Sequence, residues 1–98
     1  MTLPIHWSQQ ARADLLAIVR YISERDPDAA RRLRDCIVSA VTTTGDHPYL
    51  YRPGRIAGTR ELIAHPNYIV VYKVSERVDV LGVLHSRQRY PLDDQARR

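Results

Sequence analysis

The sequence predicts an α+β fold with the element order β-α-α-β-β-β, in which a helical hairpin packs on one face of an antiparallel sheet. Two observations predict it. Apolar residues recur at helical spacing in two consecutive segments of the first half of the chain, and three runs of β-branched and aromatic residues follow in the second half. Because short turns join these runs, the strands are expected to form an antiparallel meander.

A short strand and a first helix are predicted at the start of the chain. Leu3, Ile5 and Trp7 occupy alternate positions, which is typical of a strand, and Ser8 then provides a helix N-cap. The apolar stripe of the helix consists of Ala11, Leu15, Ile18 and Ile22. The helix should end near Asp26, because the proline after it disfavours helix at that residue.

The same position starts a second helix. Asp26 can cap it, and Pro27 suits its first position, where the missing N–H of proline costs nothing. Gly45 is expected to end it. Its buried stripe is predicted to contain Ala30, Leu33, Ile37, Ala40 and Val41. With almost no linker between them, the two helices must fold back on each other as a hairpin.

The region between the helices and the meander is a long loop, residues 46–58, rich in proline and glycine. It carries Tyr49, Tyr51, Arg52 and Arg55. Loops of this length inside a small domain are usually functional or mobile. The loop is therefore the first place to expect a binding surface.

Three strands follow, at residues 59–65, 68–74 and 78–85. The middle one is almost continuously apolar, as expected of a central strand that is covered on both faces. We expect residues 1–98 to form a single domain, with a polar tail, 91–98, that is disordered or forms a short helix.

The charge of the chain predicts an acidic partner. The net charge is +4, and every basic residue except Lys73 is arginine, whose planar fork suits carboxylates and phosphates. A coding bias toward arginine explains the composition equally well on its own. No apolar run is long enough to span a membrane, so no membrane partner is expected. A single cysteine, Cys36, suits a reducing compartment, and the cytoplasm is the predicted location.

Neither a metal nor a cofactor is expected. The histidines His6, His47, His65 and His85 are scattered without paired spacing, and phosphate-binding glycine motifs are missing. Cys36 directly precedes the core position Ile37, so we interpret it as a packing residue rather than a nucleophile.

The remaining polar candidates lie at the ends of the predicted strands. They are Arg60, Glu61, His85, Arg87, Arg89 and Tyr90. Cleavage of RNA by its own 2′-hydroxyl needs a base, a proton donor and a cation, and these residue types could supply all three. The alternative is that Arg60 and Glu61 form a surface charge pair and Arg87 is a docking cation. Spacing alone favours this alternative.

The order of motifs resembles the RelE/ParE toxins over most of the chain. Trp7-Ser8 with the first helix is similar to the family's opening, as is Asp26-Pro27. The stretch Arg52-Pro53-Gly54-Arg55, followed by Gly58-Thr59-Arg60-Glu61-Leu62, is similar to the loop and strand of ParE proteins. The segment His85-Ser86-Arg87-Gln88-Arg89-Tyr90-Pro91 resembles the family's closing motif.

This resemblance implies the toxin of a type II toxin–antitoxin module that arrests growth. A co-encoded antitoxin would wrap the toxin's helices and sheet in a hetero-oligomer, and operator DNA would be bound only through the antitoxin. The predicted basic surface would meet an acidic, partly disordered segment that folds on binding.

Two activities occur on this fold. RelE-like members cut ribosome-bound mRNA, and by resemblance Arg60, Arg87, Tyr90 and His85 would be catalytic here. ParE-like members poison DNA gyrase without being enzymes. The lysines that precede Arg60 in RelE-like enzymes are missing, and Tyr90 follows Arg87 too closely. The resemblance therefore favours the ParE branch. The residues expected to bind a target or partner are Arg52, Arg55, Arg60, Arg87, Arg89 and Tyr90.

Overall fold

The computed structural model describes residues 2–88, which form two helices and five strands. The elements are β1 (Ile5–Trp7), α1 (Gln9–Ser23), α2 (Pro27–Asp46), β2 (Arg52–Pro53), β3 (Arg60–His65), β4 (Tyr68–Val74) and β5 (Val78–His85). The sheet has the strand order β1-β5-β4-β3-β2. The predicted tail, 91–98, and the candidates Arg89 and Tyr90 lie outside the described residues.

The predicted fold class is confirmed, with two differences in the sheet. Strands β3, β4 and β5 form the antiparallel meander, but β1 runs parallel to β5, so the sheet is mixed. The predicted loop also contains β2, a two-residue strand antiparallel to β3. Alternation of apolar residues over three positions identifies β1 as a strand but does not give its direction. In β2, the proline argues against a strand, so the sequence did not predict this two-residue element.

Both helices begin where their caps predict. The Ser8 hydroxyl accepts a hydrogen bond from the Ala11 N–H, and the Asp26 carboxylate accepts one from the Ala29 N–H, each at 3.0 Å. Gly45, however, does not end α2, which continues to Asp46. A Cβ atom on Gly45 would lie 2.7 Å from the Leu3 carbonyl oxygen. The glycine therefore allows the N-terminal segment to pack against the helix rather than terminating the helix.

The hydrophobic core lies between the helical hairpin and one face of the sheet. Tyr72 of β4 is its largest fully buried side chain, and Ile37 of α2 is equally inaccessible. The other members of the buried cluster are Ala11, Leu33, Val41, Leu62, Val70, Val78, Val80 and Val83. Neither helix is long and apolar enough to cross a membrane.

Helix α1 supplies a hydrogen-bond acceptor to the last strand. The register of β4 with β5 shifts between Val71 and Tyr72, and just past this irregularity the Val83 N–H donates to the Asp14 carboxylate at 3.0 Å. Strand β1 pairs only with residues 78–80 of β5, so it does not reach Val83. Asp14 therefore satisfies a backbone donor that the sheet leaves unpaired on that side.

Replacing Asp14 with alanine is expected to lower the free energy of unfolding by about 1–3 kcal/mol, because the Val83 N–H would lose its acceptor in a buried position. Asp14→Asn keeps an acceptor oxygen and should cost less. Urea denaturation measures both, with Asp35→Ala as a control, since Asp35 is exposed and its ion pair within residues 2–88 is with its neighbour Arg34. Equal stability of Asp14→Ala and the wild type would contradict this role.

Candidate functional site

The loop between α2 and β3 is folded back onto the sheet and held at several points. We call residues 47–59 the arginine loop. At its start, the Tyr72 hydroxyl donates a hydrogen bond to the Pro48 carbonyl at 2.8 Å. The Tyr51 hydroxyl lies 3.0 Å from that of Thr43 at the end of α2. The loop is therefore joined both to the central strand and to the second helix.

Burial raises the pKa of the Tyr72 hydroxyl above its ordinary value, the nearby Arg60 charge lowers it by less, and Tyr51 adds a small increase. The hydroxyl accordingly stays protonated throughout the neutral range and remains a donor to Pro48. Because this pKa is raised on folding, its contribution to stability is complete at neutral pH. That contribution would be lost only as the pH rises through the raised pKa.

Arg60, the first residue of β3, fixes the first half of the arginine loop. Its guanidinium donates to the Tyr51 carbonyl at 2.7 Å and more weakly to the Tyr49 carbonyl at 3.4 Å. The guanidinium carbon also lies 5.0 Å from the centre of the Tyr49 ring. Arg60 was predicted as a catalytic or target-binding cation, and the structure places its guanidinium against the backbone of the arginine loop.

Glu61 fixes the second half of the loop from the other face of the sheet. Its side chain is only 1% exposed, and one oxygen accepts from Arg52 at 3.0 Å. The other oxygen accepts from the Arg55 backbone N–H at 3.0 Å and lies 3.4 Å from the Arg55 Nε. The interpretation of Arg60 and Glu61 as a surface charge pair is wrong, because consecutive strand residues point to opposite faces.

The arginine loop and the adjoining strand β3 expose arginines together with apolar side chains. The side chains of Arg52 and Arg55 are 51% and 42% exposed. Among the described residues, four of the six large apolar side chains most exposed to solvent also lie here, on the loop or on β3. We call this set the arginine-loop surface: Tyr49, Leu50, Arg52, Arg55, Ile56 and Ile63. Arginine and aromatic residues are enriched where proteins bind other proteins.

Sequence reasoning identified the arginines and Tyr49 of this surface but missed Leu50, Ile56 and Ile63. Apolar residues in a loop rich in proline and glycine were the available signal for Leu50 and Ile56. Ile63 gives no such signal, because alternation within a strand does not reveal which face is left uncovered.

The second group of candidates lies at the end of β5. The Nδ1 atom of His85 accepts a hydrogen bond from the Arg87 backbone N–H at 3.1 Å. The ring of Tyr68 lies between the rings of His85 and His65, at 5.4 and 5.8 Å. A cavity of about 360 Å³ opens beside His85, between the sheet and the Tyr21 side of α1. Arg87 itself is exposed.

The register of the sheet separates Arg60 from the His85 group. Arg60 is opposite Tyr72 on β4, whereas His85 is opposite Tyr68. Four residues along a strand span about 13 Å, and β3 and β5 lie on opposite sides of β4, about 10 Å apart. The structure therefore brings His85 and Arg87 together and places Arg60 at the other end of the sheet. Arg89 and Tyr90 are outside the described residues.

Residues 2–88 contain no cluster of three or more His, Cys, Asp or Glu side chains that could hold a metal ion. Cys36 is exposed rather than packed in the core, and its thiol lies 3.2 Å from the Ala64 carbonyl oxygen. The prediction of a packing role for Cys36 is wrong, because it lies at the solvent-exposed edge of the contact between α2 and β3.

The chain is similar in sequence to known toxins and similar in fold to solved toxin structures. The chain is 42% identical to the candidate toxin Y4kP of Sinorhizobium fredii over 88 residues, which are 89% of the chain and 92% of the relative. It is 32% identical to toxin RelE2 of Caulobacter vibrioides, over 82% of the chain and 91% of that protein.

Two solved structures have a similar fold. One belongs to a chromosomal ParDE toxin–antitoxin system of P. aeruginosa, with a TM-score of 0.77 and 21% identity, over 86% of the chain and 96% of the solved one. The other is from the RelBE2 toxin–antitoxin complex of Mycobacterium tuberculosis, with a TM-score of 0.59 and 17% identity, over 90% of the chain and 95% of the solved one.

The family model of the ParE toxin of type II toxin–antitoxin systems matches residues 5–90, which span all seven elements of the fold and the arginine loop. The chain therefore belongs to the RelE/ParE family of type II toxins and matches its ParE toxin model.

Proposed function

We propose that this toxin arrests growth by poisoning DNA gyrase, and that the arginine-loop surface contacts the target. The observation that carries the proposal is the combination of Arg52, Arg55 and exposed apolar side chains on a loop fixed by Arg60 and Glu61. A surface held in one conformation loses little entropy on binding, so its contacts contribute fully to affinity. Gyrase is a cytoplasmic enzyme, which agrees with the predicted location.

The placement of the candidate catalytic residues also supports a binding role. A charge-stabilising cation must lie at the reacting phosphate together with the acid and the base. Arg60 instead contacts loop carbonyls at the opposite end of the sheet from His85 and Arg87. Within residues 2–88, this arrangement supports a role in binding better than it supports a catalytic site.

We further propose that a co-encoded antitoxin occupies the groove between α1 and α2. This groove, of about 370 Å³, is lined by the apolar side chains Trp7, Leu15, Leu16, Val19 and Val38. Arg12 and Arg34 stand beside them, and Leu16 is 50% exposed. An amphipathic helix with acidic residues beside its apolar face fits this chemistry. The groove is separate from the arginine-loop surface, and operator DNA would be bound by the antitoxin.

A supercoiling assay with purified gyrase tests the proposed target. The toxin should inhibit supercoiling and accumulate cleaved DNA, and its expression without antitoxin should cause filamentation and DNA-damage signalling. Stoichiometric antitoxin should restore supercoiling. Undiminished supercoiling in the presence of excess toxin would rule out gyrase as the target.

The second candidate function is ribosome-dependent cleavage of mRNA, and the His85 group is the observation in its favour. Because Nδ1 of His85 accepts a hydrogen bond, its proton lies on Nε2 in the neutral ring, and the exposed Arg87 could bind phosphate beside it. The relative named RelE2 belongs to the same family. If this activity is the toxic one, primer extension should show cuts in translated messages. Arg87→Ala should then abolish both the cuts and the growth arrest; full toxicity of this variant would eliminate the RNase.

A further inference from the structure

We propose that Glu61 is a positioning residue that presents Arg52 and Arg55 as a paired binding site for an acidic segment of the toxin's protein target. This inference rests on the proposed function, in which the arginine-loop surface contacts that target. Glu61 would not touch the target itself, because its side chain is buried.

The geometry of the Glu61 carboxylate supports this role. One oxygen contacts the Arg52 guanidinium, and the other contacts both the backbone and the side chain of Arg55. The two side chains, one from β2 and one from the bend that follows it, are thus brought to one point while each remains about half exposed. A guanidinium carries five donors in a flat fork, so contact along one edge is compatible with a second carboxylate along another.

The backbone around the two arginines is also fixed. The Gly54 N–H donates to the Thr59 carbonyl at 2.7 Å, and Gly58 has a positive φ of 84° that other residues rarely adopt. A Cβ atom on Gly54 would overlap the Thr59 hydroxyl, so only glycine allows this closure. The Arg55 N–H then donates to Glu61 rather than to another backbone group.

A carboxylate at position 61 is not what stability alone would favour. Its cross-strand neighbour is the buried Val71, and desolvating a charge costs free energy that an apolar side chain would avoid. An apolar residue would pack against Val71 but would leave Arg52 and Arg55 to move independently. Glutamate at this position offsets that cost by accepting from both arginines, and so places them side by side.

A mutant cycle tests this inference. Glu61→Gln keeps the volume but replaces one acceptor oxygen with a donor, which would face an arginine N–H. Arg52→Gln/Arg55→Gln removes both cations, and the triple variant combines the changes. We expect Glu61→Gln to raise the half-inhibitory concentration in the supercoiling assay about tenfold. It should cause no further loss in the double-variant background. Val71→Ala is the matched control, because it weakens the same part of the sheet without contacting the arginines.

Hydrogen exchange gives a readout that does not depend on the target. Glu61→Gln should speed exchange of the backbone amides of residues 52–58. Val71→Ala should not, when the two variants are compared at the same free energy of unfolding. Unchanged potency or exchange in Glu61→Gln would overturn the inference, as would a further tenfold loss of potency when Glu61→Gln is added to the double variant. If Glu61→Gln fails to fold, Glu61→Asp, which is too short to reach both arginines, takes its place with the same expectations. If the wild type does not inhibit gyrase, the proposed target fails, and exchange together with growth arrest decides the role of Glu61.

Discussion

Replacing Arg52 and Arg55 together with glutamine is expected to raise the half-inhibitory concentration of the toxin against gyrase about a hundredfold. Arginines at the centre of an interface each cost about 1.5–2 kcal/mol when truncated, and about 3 kcal/mol together corresponds to two powers of ten in affinity. Glutamine is preferred to glutamate here, since a negative charge beside the buried Glu61 would disturb the loop itself. Titration of the variant in the supercoiling assay measures the effect.

The matched control removes the same net charge elsewhere. Arg20 and Arg31 are exposed on the two helices, away from the arginine loop, so their double glutamine variant should keep nearly full potency. Circular dichroism should show both variants folded. If the two variants lose equal potency, the effect comes from overall charge rather than from the arginine-loop surface, and that surface would not be the binding site.

The largest loss of stability is expected from Tyr72→Ala. Tyr72 is fully buried at the centre of the sheet, and removing a buried aromatic ring costs about 3–5 kcal/mol. That is a large part of the roughly 5–15 kcal/mol that stabilises a typical domain, so the variant should be largely unfolded at elevated temperature. Thermal and urea denaturation followed by circular dichroism measure this loss.

Tyr72→Phe separates the ring from its hydroxyl. Phenylalanine keeps the packing but leaves the Pro48 carbonyl without its donor, so the expected loss is about 1 kcal/mol. This variant should also loosen the start of the arginine loop. Its inhibition of supercoiling should therefore fall by more than the loss of folded protein accounts for. A Tyr72→Phe variant as unstable as Tyr72→Ala would show that the hydroxyl matters more than the ring.

The parts of the fold that depend on local patterns were predictable from sequence. Ser8, Asp26 and Pro27 mark the helix starts because caps and proline act on the nearest backbone groups. Short turns likewise determined the antiparallel meander. The parallel direction of β1 was not predictable, because it depends on Val78, which lies far along the chain.

The candidate site was predictable in composition but not in arrangement. Sequence identified Arg52, Arg55 and Arg60 as charged groups without showing which would face solvent. Arg60 and Glu61 are adjacent in sequence but lie on opposite faces of the sheet. Only the structure shows that each of them contacts the arginine loop from its own face. Such roles depend on contacts across the sheet, which residue spacing does not encode.

The parallel pairing of β1 with β5 has a consequence for how the chain folds. The edge strand at residues 5–7 has its partner at residues 78–80, so every element from α1 to β4 must be synthesised before the two strands can meet. Closing so large a loop is slow compared with forming the helical hairpin or the meander, whose contacts are local. During translation the helices should therefore form early, and the sheet should be completed only when β5 becomes available. A newly made chain would thus pass through a stage in which its first strand is unpaired and open to association with other chains.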